Sequence, residues 1–232
     1  MEIITNKTEA LEAVKQDGMY LEYASDELKC DKEIVLAAVR QNGKALYYTN
    51  YELQNDKEIV LAAVRQNGKA LYYTNYELQN DKEIVLTAVR QNGLALEYAS
   101  DELRNNKEVV LKAINQNGDA LYDASEGLRN DKEMVLKAIK QNGNIICYIN
   151  EIFKNDKEIV LEALKQDGTL LEYASEELKQ DKEILYILKD FLIENQEKFS
   201  KEYKLLIKYE REDNLRENLD EKEKSTKIRK KV

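Results

Sequence analysis

Three residue types are missing from this chain of 232 residues, which contains no proline, no tryptophan and no histidine. Without histidine, the chain lacks the side chain that most often serves as an acid, a base or a metal ligand near neutral pH. Its two cysteines, Cys30 and Cys147, lie far apart and fit neither a disulfide framework nor a metal-binding spacing. We therefore expect reduced thiols in a cytoplasmic protein that holds no metal ion and no cofactor.

Long hydrophobic runs are also missing. The longest apolar run is far too short to cross a bilayer, and residues 1–9 lack the apolar core of a secretion signal, so we expect no membrane association. The net charge is −9, and residues 208–232 carry nine basic and seven acidic side chains, which leaves −11 on the rest. An acidic body repels the phosphate backbone of nucleic acids and suits either solubility or a basic partner.

What the chain does contain is one unit of 25 residues, repeated without insertion or deletion. Seven copies begin at residues 6, 31, 56, 81, 106, 131 and 156, and a partial copy begins at residue 181. A fixed period of this length is typical of a solenoid. We therefore predict a repeat array over residues 1–195. Residues 196–232 are predicted to form a charged helix that closes the array, followed by a basic and partly disordered tail.

The residue pattern of each unit predicts one long helix and one or two shorter helical turns. In the copy at residues 31–55, Asp31 or the residue before it fits a helix N-cap, and Ile34 to Val39 cover an apolar arc wide enough for a helix between two neighbours. Gly43 fits the position after a helix where a left-handed conformation ends it. The alanine at position 38 recurs in all seven copies, and a small residue there lets helices approach closely. The fold class is therefore an all-α solenoid with a helical C-terminal cap.

The repeated pattern resembles a known family. The residues that carry the resemblance are Asp-Lys-Glu-Ile/Val-Val-Leu, then Ala-Val, Gln-Asn-Gly, Ala-Leu, Tyr-Ala-Ser and Glu-Leu, over about residues 6–188. They are similar to the uncharacterised helical repeat family called domain of unknown function 4116. The resemblance implies a helical repeat protein and implies no activity.

Two sets of polar residues recur at equivalent positions, here called columns. The glutamine column admits two interpretations: a ladder that binds an extended ligand, or amides that satisfy carbonyl groups freed where each helix ends. We favour the second, because a helix end already explains glutamine before glycine. The glutamates of the Glu-Leu turns are one repeat apart, and we interpret them as a solvated face. These glutamines and glutamates are Gln16, Gln41, Gln66, Gln91, Gln116, Gln141 and Gln166, and Glu27, Glu52, Glu77, Glu102 and Glu177.

Four tyrosines are the candidate binding residues: Tyr47, Tyr51, Tyr72 and Tyr76. In other copies their columns hold Glu or Asp, so we predict that all four are exposed. Exposed aromatic side chains beside charged ones are typical of binding hot spots. The copies at 31–55 and 56–80 are identical at every position, so a recent duplication also explains the second pair. A further tyrosine column, which includes Tyr48, is interpreted as packing.

These observations favour a non-enzymatic scaffold for protein–protein interaction, which binds a protein or peptide partner as a monomer. One alternative is a nucleic-acid reader that contacts one base per helical repeat, which the acidic charge disfavours. A second alternative is a structural spacer whose length is the relevant property. An enzyme is the least favoured class, since catalysis needs reactive groups that converge and these residues recur along a surface.

Overall fold

A computed structural model describes residues 3–229, with side chains described over residues 3–217. Seven longer α-helices begin the seven repeats, at Lys7–Gln16, Lys32–Gln41, Lys57–Gln66, Lys82–Gln91, Lys107–Gln116, Lys132–Gln141 and Lys157–Leu164. Each is followed by a 3₁₀-helix, at Gly18–Tyr23, Gly43–Tyr48, Gly68–Tyr73, Gly93–Tyr98, Gly118–Asp123, Gly143–Cys147 and Gly168–Tyr173. The chain is thus an all-α solenoid of 25-residue repeats, as predicted.

A third short helical segment completes each repeat. It is a 3₁₀-helix at Leu28–Cys30, Leu53–Asn55 and Leu178–Gln180, and a single α-helical turn at Tyr76–Gln79, Asp101–Arg104, Glu126–Arg129 and Glu151–Lys154. Between residues 3 and 229, the one β-type pairing is an isolated parallel bridge between Ile4 and Ala24. This bridge adds the N-terminal segment to the first repeat.

The chain separates into two compact units, Met1–Ile145 and Ile146–Val232. In the first unit, each long helix packs against the next, and the apolar residues of the predicted arc are buried. Ile59, Val60, Ala63 and Val64, for example, are fully buried. The predicted division of the chain after residue 195 stays a prediction.

The second unit ends in a long charged helix, Ser200–Arg229, which packs against the short helix Lys182–Ile187. The Tyr186 hydroxyl donates a hydrogen bond of 2.8 Å to Asp213, and burial followed by this bond raises the pKa of Tyr186 to about 12. Leu206 is fully buried. This helix lies in the segment 196–232, for which a charged helix and a partly disordered basic tail stay predictions; residues 230–232 lie outside the described residues.

The aspartate or asparagine at the start of each repeat caps the long helix. The Asp31 carboxylate accepts hydrogen bonds from the backbone N–H groups of Glu33, at 2.9 Å, and Ile34, at 3.3 Å. Asp56 and Asp81 cap their helices in the same way. Such a cap satisfies N–H groups that have no partner inside the helix.

The repeat glycines do not adopt the conformation that the sequence suggested. No glycine in the described part of the chain has a positive φ, so the predicted left-handed C′ position is wrong. The glycine is instead needed because the next repeat comes too close for a side chain. A β-carbon on Gly43 would overlap the carbonyl oxygen of Ala63 and lie 3.1 Å from the backbone nitrogen of Asn67. The column alanine and the column glycine thus meet between adjacent repeats.

A ladder of ion pairs also joins adjacent repeats. The ammonium group of Lys32 lies 2.7 Å from the Asp56 carboxylate and 3.0 Å from that of Glu58, and the next repeat reproduces both pairs. Lys82 contacts Glu108 at 2.7 Å, because the following repeat begins with Asn106 instead of aspartate. Pairs this exposed contribute little to the free energy of unfolding, so the ladder orients the stack more than it stabilises it.

Acid should weaken the fold through these aspartates. The hydrogen bond from Lys7 lowers the pKa of Asp31. Burial raises the pKa of Asp56, but the bond from Lys32, the charge of Lys32 and the backbone N–H bonds of the helix cap together outweigh it, so the net pKa is lowered. With a lowered pKa in the folded state, the stabilisation is complete above the unfolded pKa of about 4 and is lost as the pH falls through the folded pKa. We expect the urea midpoint, followed by circular dichroism, to fall between pH 5 and pH 3.

The control for this prediction keeps the cap and removes the charge. Asn retains the carbonyl oxygen that accepts from the backbone, so the Asp31→Asn and Asp56→Asn double variant should lose less stability over the same pH range than the natural chain. If both proteins lose the same amount of stability on acidification, other carboxylates cause the loss.

Candidate interaction surface

The four predicted tyrosines lie on the surface of the two identical repeats. The 3₁₀-helices Gly43–Tyr48 and Gly68–Tyr73 bury their alanine and leucine, which turns Tyr47 and Tyr72 outward. The exposed fractions are 59% for Tyr47, 74% for Tyr51, 62% for Tyr72 and 66% for Tyr76. Their predicted exposure is confirmed.

Tyr47 and Tyr72 belong to a continuous row of five rings. The centroid of the Tyr47 ring lies 5.0 Å from that of Tyr48 and 5.4 Å from that of Tyr73 in the next repeat. The Tyr72 ring then lies 5.3 Å from Tyr73 and 5.3 Å from Tyr98. These separations and the tilted or edge-on angles are those that aromatic pairs prefer. We call these five side chains, in the order Tyr48, Tyr47, Tyr73, Tyr72 and Tyr98, the tyrosine row.

Sequence reasoning missed the row, although it identified two of its members. It assigned Tyr48, Tyr73 and Tyr98 to packing, and these three are indeed half-buried. Their rings nevertheless contact the exposed ones. Tyr73 lies between Tyr47 and Tyr72, and Tyr48 and Tyr98 form the two ends of the row. Tyrosine pairs at adjacent positions in consecutive repeats were the signal, because repeat stacking brings equivalent positions close together.

The other two predicted residues stand apart from the row. Neither Tyr51 nor Tyr76 makes a ring contact with another aromatic side chain in the described structure. Tyr76 begins the short helix Tyr76–Gln79, and Tyr51 lies in the turn before Leu53–Asn55. At this position other copies carry an acidic residue that pairs with a basic one three positions later. Asp101 with Arg104 and Glu151 with Lys154 are such pairs.

Where tyrosine replaces the acid, glutamine replaces the basic partner. Gln54 follows Tyr51 by three positions, and its amide donates to the backbone carbonyl groups of Leu46, at 3.2 Å, and Tyr47, at 3.3 Å. Gln79 makes the equivalent bond to Leu71 at 3.4 Å. The two identical repeats thus carry a tyrosine and a glutamine where other repeats carry an ion pair. These repeats therefore present an uncharged aromatic side chain at this position.

Carboxylates close the row at both ends. Burial first, and then the charge of Glu22 and a hydrogen bond to it, raises the pKa of the Tyr48 hydroxyl. At the other end, burial and a hydrogen bond to Glu97 raise the pKa of Tyr98. Glu22 and Glu97 occupy the column of Tyr47 and Tyr72, so the row ends where this column returns to glutamate.

Asp123 stands where the next tyrosine of the half-buried column would be. Burial, and then the nearby charge of Glu97, raises the pKa of its carboxyl group, while Arg104 partly opposes the shift. The Arg104 side chain also donates a hydrogen bond of 2.5 Å to the Asp123 carbonyl oxygen. The end of the row at Tyr98 therefore has two carboxylates near it, Glu97 and Asp123, and the Arg104 cation lies beside the second.

The glutamine column has a structural role between repeats. The Gln66 amide oxygen accepts a hydrogen bond of 2.6 Å from the Gly43 N–H group of the preceding repeat, and Gln41 accepts one of 2.6 Å from Gly18. The Gln91 amide nitrogen donates to the Gln66 carbonyl oxygen at 3.2 Å. The side-chain amides of Gln41 and Gln91 therefore each satisfy a backbone carbonyl group left free at a helix end, as expected. That carbonyl group belongs to the long helix of the preceding repeat.

The glutamates of the Glu-Leu turns remain on the solvated face, as expected. Glu52, Glu77 and Glu102 are exposed, and Glu102 accepts a hydrogen bond of 3.2 Å from the Asn80 amide. Within the described residues, no group of three or more Cys, Asp or Glu side chains is arranged to hold a metal ion. This leaves the tyrosine surface as the candidate site.

Comparison with known proteins identifies the repeats. A family model described as Domain of unknown function (DUF4116) matches residues 6–54, 33–79, 56–104, 81–129, 106–154, 131–179 and 156–188. The chain belongs to this family. Searches of curated proteins and of solved structures each found no match.

Each DUF4116 match spans up to about two of the repeats described above, and successive matches advance by about one repeat. The predicted resemblance is therefore confirmed over the whole array, and the family's description assigns no activity. None of the helices described between residues 3 and 229 is both long and apolar enough to span a bilayer. In this DUF4116 chain, the tyrosine row, Tyr51 and Tyr76 lie in the two identical repeats and the repeat that follows them.

Proposed function

We propose that this chain is a non-enzymatic scaffold for protein–protein interaction and that it binds a protein or peptide through the exposed tyrosines of its second and third repeats. The observation that carries the proposal is the tyrosine row together with Tyr51 and Tyr76. Tyrosine supplies a large contact area at a small cost in conformational entropy, and it is enriched at binding hot spots. We further propose that the scaffold acts as a cytoplasmic monomer.

Folding alone does not require these tyrosines to be exposed. The same columns hold Glu22 and Glu97, or Asp26 and Asp101, in repeats whose long helix and following 3₁₀-helix have the same bounds relative to the repeat. Exposed aromatic side chains favour association, so a solenoid with no partner gains nothing from them. The paired exchange of an ion pair for Tyr51 and Gln54 fits the same interpretation.

The test replaces all four tyrosines with the residue that their columns already accept. In a peptide library displayed on phage, the natural chain should enrich specific sequences, and the variant with Tyr47→Glu, Tyr51→Glu, Tyr72→Glu and Tyr76→Glu should lose them. We expect at least a ten-fold loss of affinity for the selected peptides, which corresponds to about 1.4 kcal/mol. Enrichment that is equal on both proteins would contradict the proposal, and no enrichment on either would favour the spacer.

The variant should remain folded. Glu22 stands in the column of Tyr47, and its repeat has the same long helix and the same following 3₁₀-helix, so glutamate in place of Tyr47 fits this position. We therefore expect the free energy of unfolding to change by less than about 1 kcal/mol, which a urea titration measures. A gel shift with single-stranded RNA at low salt tests the nucleic-acid alternative, since binding that the four substitutions abolish would favour it.

A further inference from the structure

We propose that the tyrosine row binds an extended peptide segment that carries a Lys or Arg side chain at each end and no basic residue in its centre. This inference rests on the proposed function and specifies the partner's chemistry. It follows from three features of the row: the carboxylates at its two ends, the lysines beside its middle, and its length.

The two ends of the row attract cations. Glu22 lies in the 3₁₀-helix Gly18–Tyr23, which packs against Gly43–Tyr48, and Glu97 directly precedes Tyr98, so one carboxylate stands at each end of the row. A carboxylate can accept several hydrogen bonds at once. Both glutamates are exposed, and neither forms an ion pair with a basic side chain in the described structure. Asp123 adds negative charge near Glu97. A guanidinium or ammonium group at either end can contact a carboxylate and the face of a terminal tyrosine together.

The middle of the row repels cations. Lys44 and Lys69 are exposed and lie three positions before Tyr47 and Tyr72 in the same 3₁₀-helices. Residues three apart eclipse one another in a 3₁₀-helix, so each lysine lies on the same face as its tyrosine. Neither lysine has an acidic partner in the described structure. The charges along the surface therefore run negative, positive, positive, negative, and a partner with basic ends and an uncharged centre complements them.

The net charges of the repeats support this pattern over a longer range. Each of the two identical repeats has three acidic and three basic residues. The repeat before them, at 6–30, has six acidic against three basic residues, and the repeat after them, at 81–105, has five against three. A uniformly basic peptide would gain less at the centre than at the ends, so charge favours one register along the row.

The length of the row sets the spacing of the two basic residues. The four centroid separations of 5.0, 5.4, 5.3 and 5.3 Å give a path of at most about 21 Å. An extended chain advances about 3.3 Å per residue, so about six residues span this path. Two basic side chains six to eight positions apart can then contact Glu22 and Glu97 in one bound molecule.

The experiment uses two synthetic octapeptides of identical composition, with blocked ends and a fluorescein label. One has an arginine at each end and a centre of Pro, Leu and Gly; the other has the two arginines adjacent in the centre. By fluorescence anisotropy in 50 mM salt, the first peptide should bind the natural chain about ten-fold more tightly than the second, since only the first can place an arginine at both terminal carboxylates at once.

Matched variants locate the contacts. Glu22→Gln and Glu97→Gln should each weaken the first peptide about three-fold, while Glu12→Gln, an equal charge change at an exposed position of the first repeat, should not. Equal affinity for the two peptides, or an equal effect of Glu12→Gln and Glu22→Gln, would overturn the inference. Tighter binding of an oligouridine probe than of the peptide, or self-association that competes with the peptide, would overturn it as well.

Failure here is separable from failure of the proposed function. If the phage library yields peptides that need the four tyrosines but lack basic ends, the scaffold stands and this partner class is wrong. If the library yields no peptides that need the tyrosines and neither octapeptide binds, both proposals fail.

Discussion

Replacing Gly68 with Ala should lower the free energy of unfolding by about 3 kcal/mol, because a core already in contact has no room for a methyl group. A β-carbon on Gly68 would overlap the Ala88 carbonyl oxygen and lie 3.1 Å from both the Ala88 carbonyl carbon and the Gln91 amide oxygen. The carbonyl belongs to a helix backbone and cannot rotate away as a flexible side chain can. The two repeats must therefore separate, which loosens the contact between Ala88 and its buried neighbours.

Gly127, which lies in a later repeat of the same compact unit, Met1–Ile145, provides the control. A β-carbon on Gly127 would have no neighbour within 4 Å, and this residue lies inside the short helix Glu126–Arg129. Alanine is a better helix former and has a smaller unfolded-state entropy, so Gly127→Ala should raise the free energy of unfolding by about 0.5–1 kcal/mol. Urea titrations of both variants should give shifts of opposite sign. Destabilisation by both would mean that glycine is needed for local backbone freedom.

Only a comparison of the repeats predicts that glycine is required at Gly68 and not at Gly127. A column that is glycine in all seven repeats indicates a constraint, but a glycine after a helix is equally consistent with a left-handed cap and with a close approach of another backbone. The angle φ decides between them, and it depends on the neighbouring repeat. The alanine column carried the missing information, since a small residue such as Ala63 marks the surface that approaches Gly43.

The candidate surface was predictable at the level of single residues and not at the level of pairs. Exposure of Tyr47 and Tyr51 followed from the acids in their columns, because a position that accepts glutamate is in contact with water. The ring contacts with Tyr48 and Tyr73 did not follow, since they depend on the distance between repeats. The ladder from Lys32 to Asp56 escaped notice for the same reason, although both residues recur in the Asp-Lys-Glu triplets.

Removing one member of the glutamine column should have the second-largest effect on stability. In Gln91→Ala, the Gly68 N–H group loses its acceptor, which lies at 2.6 Å, and the Gln66 carbonyl oxygen loses a donor. Gly68 is buried, so its N–H group has little access to water as a substitute. An unsatisfied buried donor costs about 1–3 kcal/mol, and we expect a loss of about 2 kcal/mol in the free energy of unfolding.

Gln16→Ala is the matched control for this substitution. Gln16 occupies the same column, but its exposed side chain makes none of these bonds, and only its carbonyl oxygen is used, by Gln41. Alanine and glutamine have similar helix propensities, so its free energy of unfolding should change by less than about 0.5 kcal/mol. Hydrogen exchange gives a second measurement, because the Gly68 amide should lose its protection in Gln91→Ala and keep it in Gln16→Ala. Equal losses in the two variants would mean that glutamine acts through its own helix, and the bond between repeats would then contribute little to the stack.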